Sequence, residues 1–147
     1  MIVGEGTALI RRSPRDILEF VLDLERYRQA DTKIGRVHFV ERDGNRGRAR
    51  YAGRMRGLPG PAETVQWELE PWSRLHFWST PSLWPGVLYH FDGLFTCEET
   101  AEATRVHHRE AVTLRPPLAW VVEPLLRDWL ARDTAEEMAR MKALLER

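Results

Sequence analysis

The segment Arg46-Gly-Arg-Ala-Arg-Tyr-Ala-Gly-Arg-Met-Arg56 decides how this chain folds. Arginine occupies nearly every even position and small or apolar residues the odd ones, and a period of two is the side-chain period of a β-strand. One face of this strand is therefore solvated and cationic, and the other points inward. Its inward positions include Gly47, Ala49 and Gly53, which predict either a close backbone contact or an open space. We favour the space, with Tyr51 as its polar group.

Composition restricts the class of protein. The 147 residues fit one domain, residues 1–147, whose core needs neither disulfides nor metals. Basic and acidic residues number 22 each, and this zero net charge argues against a nucleic-acid partner. No apolar run approaches the ~20 residues of a membrane span, and the first residues lack the pattern of a signal peptide. The single Cys97 excludes an internal disulfide, so the cytoplasm is the expected compartment.

The hydrophobic periodicity along the chain predicts a meander of strands between helices. Ser13-Pro14 is typical of a helix start, with Ser13 as N-cap and Pro14 at the first helical position. Near the C-terminus, apolar residues recur at steps of three and four residues, which predicts a helix of about 30 residues that is kinked or restarted at Pro124. Strands are predicted at 7–12, 34–41, 46–56, 63–70, 74–80, 87–97 and 104–114, and a second short helix at 25–29. The prolines of 57–61 predict a loop there.

Alternation also predicts which side chains face inward. The inward set on the later strands is Glu63, Val65, Trp67, Leu69, Leu75, Phe77, Tyr89, Phe91, Phe95, Val106, His108, Glu110 and Val112. On the C-terminal helix the predicted inner face is Leu118, Val121, Val122, Leu125, Trp129, Met138, Met141 and Leu145. A long amphipathic helix of this kind must cover the apolar face of the sheet.

This order of elements resembles the helix-grip (SRPBCC) superfamily, which contains START domains, polyketide cyclases and birch-pollen-allergen-like proteins. The resemblance extends from the Ser13-Pro14 helix start to the terminal helix Arg132-Asp-Thr-Ala-Glu-Glu-Met-Ala-Arg-Met-Lys-Ala-Leu-Leu-Glu146. It implies an α+β fold in which a seven-stranded antiparallel sheet (β-αα-β6-α) wraps around the long C-terminal helix. It also implies a cavity between sheet and helix for a hydrophobic, aromatic or polycyclic, small molecule.

The loops at one end of the meander suggest an entrance to that cavity. Segments 57–61, 81–86 and 115–117 carry Leu58, Leu83, Trp84 and six prolines, and exposed apolar loops indicate a binding site for an apolar molecule. The relatives that the chain resembles open their cavity at this end. Alternatively, Leu83 and Trp84 pack on the end of the core.

His108 and Glu110 are the candidate catalytic residues. Two residues apart on a strand, they share a face, and a buried imidazole or carboxyl group can move protons at neutral pH. The alternative is that Glu110 pairs with His108 or an arginine and only satisfies a buried polar group. The predicted ligand-binding residues are Tyr51, Gly53, Glu63, Trp67, Phe77, Trp84, Tyr89, Phe91, Val122 and Trp129. Glu63 could instead lie in water at a strand end.

No metal and no cofactor are predicted. His107 and His108 are adjacent on a strand and face opposite sides, and no glycine-rich phosphate loop follows a strand. The resemblance implies two functions, a polyketide cyclase or dehydrase or a lipid-type carrier, so whether the protein is an enzyme stays open. The alternative is a non-catalytic protein-interaction module that uses Trp72 and Trp78 on the outer face. A homodimer is compatible with either.

Overall fold

The computed structural model describes residues 1–80 and 89–147. Its elements, in chain order, are β1 (Ile2–Ile10), α1 (Pro14–Leu22), α2 (Leu24–Tyr27), β2 (Ile34–Asp43), β3 (Arg46–Met55), β4 (Leu58–Glu70), β5 (Arg74–Ser79), β6 (Tyr89–Glu99), β7 (Thr104–Leu114) and α3 (Leu118–Leu145). The predicted order of strands and helices is confirmed.

The seven strands form one antiparallel sheet in the order β1-β7-β6-β5-β4-β3-β2. Strands β1 and β2 are neighbours along the chain but lie at opposite edges, because α1 and α2 carry the chain across between them. Helix α3 packs against β1 and β7. This is the helix-grip fold that the element order predicted. No helix in the described ranges combines the length and apolar character that crossing a bilayer requires.

Helix α1 starts where its capping residues predict. The Ser13 side chain accepts a hydrogen bond from the Asp16 backbone N–H at 3.1 Å, and Pro14 opens the helix, where its missing N–H costs nothing. The helix buries Ile17 and Leu18 against the sheet. These side chains thereby join the main apolar core.

The segment 57–61 is not the loop that its prolines predicted. The chain turns tightly at Arg56 and Gly57, both with positive φ (52° and 81°), and β4 begins directly at Leu58. Pro59 and Pro61 therefore lie within β4. Their missing N–H groups are tolerated because β4 pairs with β5 only from Val65 onward within the described residues.

The inner face of β3 is only partly hollow. A Cβ atom on Gly47 would lie 2.4 Å from the Trp67 indole ring. The missing side chain of this glycine therefore makes room for the indole ring and does not leave an open cavity. Ala49 and Gly53, by contrast, line a cavity. The prediction that all three residues border a cavity was wrong for Gly47, because Trp67 on the next strand fills the place.

Helix α3 departs from its predicted inner face. It runs through Pro124 as one helix, and Val121 and Leu125 are 68% and 62% exposed, although both were predicted to face inward. Three of the buried residues of the helix are polar, namely Asp133, Thr134 and Glu137. The others are Leu126, Leu130, Met138, Met141 and Leu145. The prediction failed because it admitted only apolar residues to the inner face.

The two tryptophans predicted on the outer face differ in their surroundings. Trp72 packs against the core, with the Arg15 guanidinium 5.4 Å from its ring centroid. Trp78 is half-buried beside His76, with ring centroids 4.9 Å apart. Trp72 is therefore part of the core boundary and not a free outer surface.

Glycines allow β1 and α3 to approach closely. A Cβ atom on Gly6 would lie 2.8 Å from the backbone oxygen of Thr134 and 3.2 Å from the Cα atom of Ala135. Because these are backbone atoms of a packed helix, they cannot move aside without shifting α3.

We expect Gly6→Ala to lower the free energy of unfolding by about 1–3 kcal/mol, because the added methyl group overpacks the interface between strand and helix. The matched control is Gly60→Ala, whose Cβ would find its nearest neighbour at an ordinary 3.5 Å. That variant should stay within about 0.5 kcal/mol of the wild type. Urea unfolding measures both, and equal values for the two variants would contradict this view of the contact.

Candidate functional site

A cavity of about 170 Å³ lies between the inner face of the sheet and helix α3. Most of its wall is apolar, formed by residues such as Leu24, Ile34, Val65, Leu75, Val112, Leu126 and Leu130. The polar side chains among its described lining residues are Tyr27, Asp31, Lys33, Tyr51, Arg54, Glu63 and Tyr89. An apolar cavity with a few converging polar groups is the usual form of a small-molecule site.

Eight of the predicted ligand-binding residues line this cavity: Tyr51, Gly53, Glu63, Trp67, Phe77, Tyr89, Phe91 and Trp129. Val122 is not among its described lining residues; it packs beside Trp129 in a small apolar cluster. Trp84 and Leu83 lie in 81–88, outside the described residues. Ligand contact at all these positions stays a prediction.

Glu63 is held between two tyrosines at the cavity wall. The Tyr51 hydroxyl donates to Glu63 Oε1 at 2.9 Å, and the Tyr89 hydroxyl donates to Oε2 at 2.5 Å. Burial raises the pKa of Glu63, and the two hydrogen bonds oppose that rise. Burial and the neighbouring carboxylate raise the pKa of both tyrosines. Glu63 is thus buried and partnered, which excludes the alternative of a strand end in water.

At the cavity wall, the side chain of Lys33 contacts four carboxyl groups; we call Lys33 with Asp31, Glu110, Asp133 and Glu137 the lysine cluster. The Nζ atom lies 2.8 Å from Asp31, 3.0 Å from Asp133, 3.2 Å from Glu137 and 3.3 Å from Glu110. Burial opposes the charged form of Lys33, but the carboxylates outweigh it and raise the pKa of the lysine. The lysine therefore stays charged.

His108 and Glu110 are neighbours, as predicted, but they do not line the cavity among the described residues. Both side chains are fully buried, and His108 stacks on Phe95 with ring centroids 3.8 Å apart. His108 Nε2 lies 3.3 Å from Glu110 and Nδ1 lies 3.2 Å from Glu137, without hydrogen-bond alignment in either contact. The expectation that this pair faces the ligand space was wrong, because Phe77 and Lys33 lie in front of it at the wall.

The protonation of these groups follows from charge balance. Burial lowers the pKa of His108 well below its ordinary value, raises the pKa of Glu110 to about 7 and raises the pKa of Glu137. Desolvation tends to raise the pKa of Asp133, but its contacts with Lys33 and Arg140 outweigh that effect, and the pKa is lowered. Lys33 and Arg140 are the cations beside Asp133, while burial keeps His108 neutral and favours the protonated forms of Glu110 and Glu137.

The lysine cluster also bears on the predicted absence of a metal. Within the described ranges, the ligand atoms of His108, Glu110 and Glu137, and those of Asp31, Asp133 and Glu137, lie close enough together to hold a cation. The spacing of His107 and His108 could not reveal these groups, because their members come from separate elements. Lys33 Nζ lies among both sets and already supplies the positive charge.

Sequence reasoning missed five residues of this site: Tyr27, Asp31, Lys33, Asp133 and Glu137. Tyr27 donates a hydrogen bond to Glu137, and Asp31 and Lys33 lie in the connection between α2 and β2. No periodicity marks such a connection. Asp133 and Glu137, however, are four residues apart on the same face as Leu130 and Met141, so the helical period did carry a signal.

Comparison with known proteins shows the family to which this chain belongs. A family model described as "Polyketide cyclase / dehydrase and lipid transport" matches residues 1–146. The chain belongs to this family. The predicted membership of the helix-grip superfamily is thereby confirmed. Comparison with curated proteins gave no match.

Solved structures similar to this chain come from proteins of different kinds. A protein of Thermus thermophilus has a TM-score of 0.79 at 18% identity, covering 98% of this chain and 97% of that one. The Zhui aromatase/cyclase of a Streptomyces species has a TM-score of 0.73 at 15% identity, with coverage of 99% and 93%. A STAR-related lipid transfer protein fragment of Xanthomonas axonopodis has a TM-score of 0.74 at 11% identity, with coverage of 97% and 85%. At these identities the similarity establishes the fold alone.

We expect Glu110 to make stability depend on pH. Its pKa of about 7 in the folded state exceeds the ordinary 4.5, so the folded protein binds more protons than the unfolded chain between these values. Relative to Glu110→Gln, the wild type should lose stability as the pH rises from 4.5 to 7, by at most about 1.4 kcal/mol per pH unit, and the difference should be constant above that range.

Urea unfolding at a series of pH values measures this difference. The control is Glu146→Gln, because hydrogen bonds from Lys142 and Arg11 lower the pKa of Glu146 to about 2. Its contribution is present above pH 4.5 and is lost as the pH falls, so its difference from the wild type should be flat between pH 5 and 7. A flat difference for Glu110→Gln as well would contradict the assignment.

Proposed function

We propose that this chain binds a hydrophobic small molecule carrying an aromatic ring and a hydroxyl group in the cavity between sheet and α3. The observation that carries the proposal is the hydrogen-bonded group Tyr51–Glu63–Tyr89 on an otherwise apolar wall. A volume of about 170 Å³ resembles that of apolar cavities, on the order of 150 Å³, that take up benzene. The cavity is therefore of the size class that admits an aromatic body.

Glu63 has unused capacity for a ligand. Each of its oxygens accepts one tyrosine hydroxyl, and a carboxylate oxygen can accept a second hydrogen bond. A ligand hydroxyl donating to Glu63 would be oriented by a charged acceptor inside a dry pocket, where such bonds are strongest. The apolar wall would supply affinity, and Glu63 would supply orientation.

Two activities fit this arrangement: a carrier, and a cyclase or dehydrase that shapes a reactive chain. The relatives described as aromatase/cyclase and lipid transfer proteins support both. If the protein is a catalyst, Glu63 would act as the acid–base group. It lines the cavity, and burial raises its pKa. The role proposed for His108 and Glu110 becomes that of positioning residues, acting on the ligand through Lys33 and not by contact.

A protein-interaction module is the second candidate, supported by the exposed start of α3. Trp120 is 74% exposed, beside the exposed Val121 and Leu125, and a contiguous apolar surface of this kind is typical of interaction sites. Self-association through it would give the homodimer. The free thiol of Cys97 agrees with the cytoplasm as the proposed compartment.

We expect 1-naphthol to bind with a stoichiometry of one, and Glu63→Gln to weaken its binding by about tenfold, because a hydrogen bond to a charged group is worth about 1.5–3 kcal/mol. Naphthalene, which lacks the hydroxyl group, should bind both proteins equally. Isothermal titration calorimetry gives both affinities. The matched control variant is Glu5→Gln, at an exposed carboxylate on β1.

Thermal unfolding provides an independent measurement. At 100 times its Kd, 1-naphthol should stabilise the folded protein by about 2.7 kcal/mol. If neither 1-naphthol nor naphthalene gives binding heat or raises the melting temperature, the cavity is not the binding site and the interaction module becomes the better proposal.

A further inference from the structure

A second hollow, of about 590 Å³, opens beside the cavity; we call it the arginine pocket. Four arginines line it: Arg28, Arg54, Arg56 and Arg140. Its remaining wall includes Ile34 and Trp129, which together with Arg54 also line the cavity. The apolar cavity and the cationic pocket therefore adjoin each other and share part of their lining.

The carboxylates of the arginine pocket are already occupied. Among the described lining residues, Asp133 and Glu136 are acidic, against four arginines. Arg140 lies 3.2 Å from Asp133 and 3.6 Å from Glu136, and Asp133 also contacts Lys33 at 3.0 Å. These acidic groups are thus neutralised by Arg140 and Lys33.

The other arginines of the pocket keep most of their donors free. Arg54 and Arg56 are exposed and form no ion pair with any carboxylate of residues 1–80 and 89–147. Arg54 makes a long hydrogen bond of 3.4 Å to the Gly57 carbonyl. Arg28 lies 3.7 Å from the exposed Glu25, beyond hydrogen-bond distance. Three guanidinium groups consequently face one concave surface without strong partners.

Arg56 occupies an unusual backbone position. Its φ of 52° lies in the left-handed region, which glycine and asparagine adopt most easily at a tight turn. An arginine is a poor choice for the turn itself, so the side chain at this position is better explained by the pocket that it lines.

We propose that the arginine pocket binds an oxyanion, a phosphate or a carboxylate, on the same molecule whose ring occupies the cavity. The ligand is then an amphiphile with an aromatic body and one anionic head group. This inference rests on the proposed function and narrows its ligand class. Guanidinium groups bind phosphate and carboxylate through paired N–H donors, and three of them converge here. The head group stays at the surface, while Ile34 and Trp129 guide the apolar body inward.

The test uses 1-naphthyl phosphate and 1-naphthoate with naphthalene as the reference, because neither anion retains the hydroxyl group of 1-naphthol. In titration calorimetry at neutral pH and low salt, the wild type should bind both anions about tenfold more tightly than naphthalene, and added salt should reduce this gain alone. The double variant Arg28→Gln/Arg56→Asn, at two arginines that line the arginine pocket and are not among the described lining residues of the cavity, should lose the gain and keep the affinity for 1-naphthol. Asparagine at position 56 preserves the turn. Arg46→Gln, at the far end of β3 and 81% exposed, is the matched control.

The outcomes separate this inference from the proposed function. If 1-naphthol binds but neither anion binds more tightly than naphthalene, or if the double variant weakens 1-naphthol as much as the anions, the arginine pocket is not a head-group site and the cavity proposal stands. If inorganic phosphate alone binds the wild type as tightly as 1-naphthyl phosphate, the pocket is a site for free anions and the amphiphile is excluded. If neither 1-naphthol nor either anion binds, both proposals fail. Circular dichroism verifies that each variant is folded, and Arg56→Asn alone should show a partial loss.

Discussion

The contact on which the rest of this structure depends is the ammonium group of Lys33 among four buried carboxyl groups. Two of these belong to α3, one to β7 and one to the connection before β2, so a single cation joins three parts of the chain. Removing one partner from such a group leaves a buried charge without compensation, which typically costs about 3–5 kcal/mol. The position of α3 over the sheet is therefore set by charge as well as by apolar packing.

This arrangement also explains how the cavity stays apolar. Several polar groups that this fold buries lie away from the cavity, where His108 contacts Glu110 and Glu137 and none of the three is among the described lining residues. At the wall itself, Glu63 is the carboxylate that two tyrosines stabilise. Lys33 and Asp31 belong to both groups, since they line the cavity and also take part in the lysine cluster.

Much of the architecture could be predicted from local patterns, because each pattern has a local physical cause. The alternation of side chains correctly predicted that Trp67 and Glu63 point inward, and Ser13-Pro14 correctly predicted where α1 begins. The cavity wall was predictable for the same reason. The position of Trp67 over Gly47 was not, since strand alternation gives the side of the sheet but not how neighbouring side chains share the space.

The site itself was harder to predict, because its central residue lies in a connection without a period. Nothing along the chain distinguishes Lys33 from an ordinary surface lysine until Asp133 and Glu137 are brought beside it by the fold. Val121 and Leu125 were wrongly predicted to face inward for a related reason. Because the prediction counted only apolar residues, it placed the inner face of α3 away from the buried acidic residues.

The division of α3 into an exposed start and an anchored remainder has a consequence for how it opens. Up to Leu125 the helix buries little and passes through Pro124, which lacks one backbone hydrogen bond; beyond that point it is held by apolar packing and the ions around Lys33. Local unfolding free energy therefore rises along the helix from its N-terminus to its C-terminus. The first two turns can therefore fray while the anchored part keeps its place, and the ions around Lys33 help to fix that anchored part.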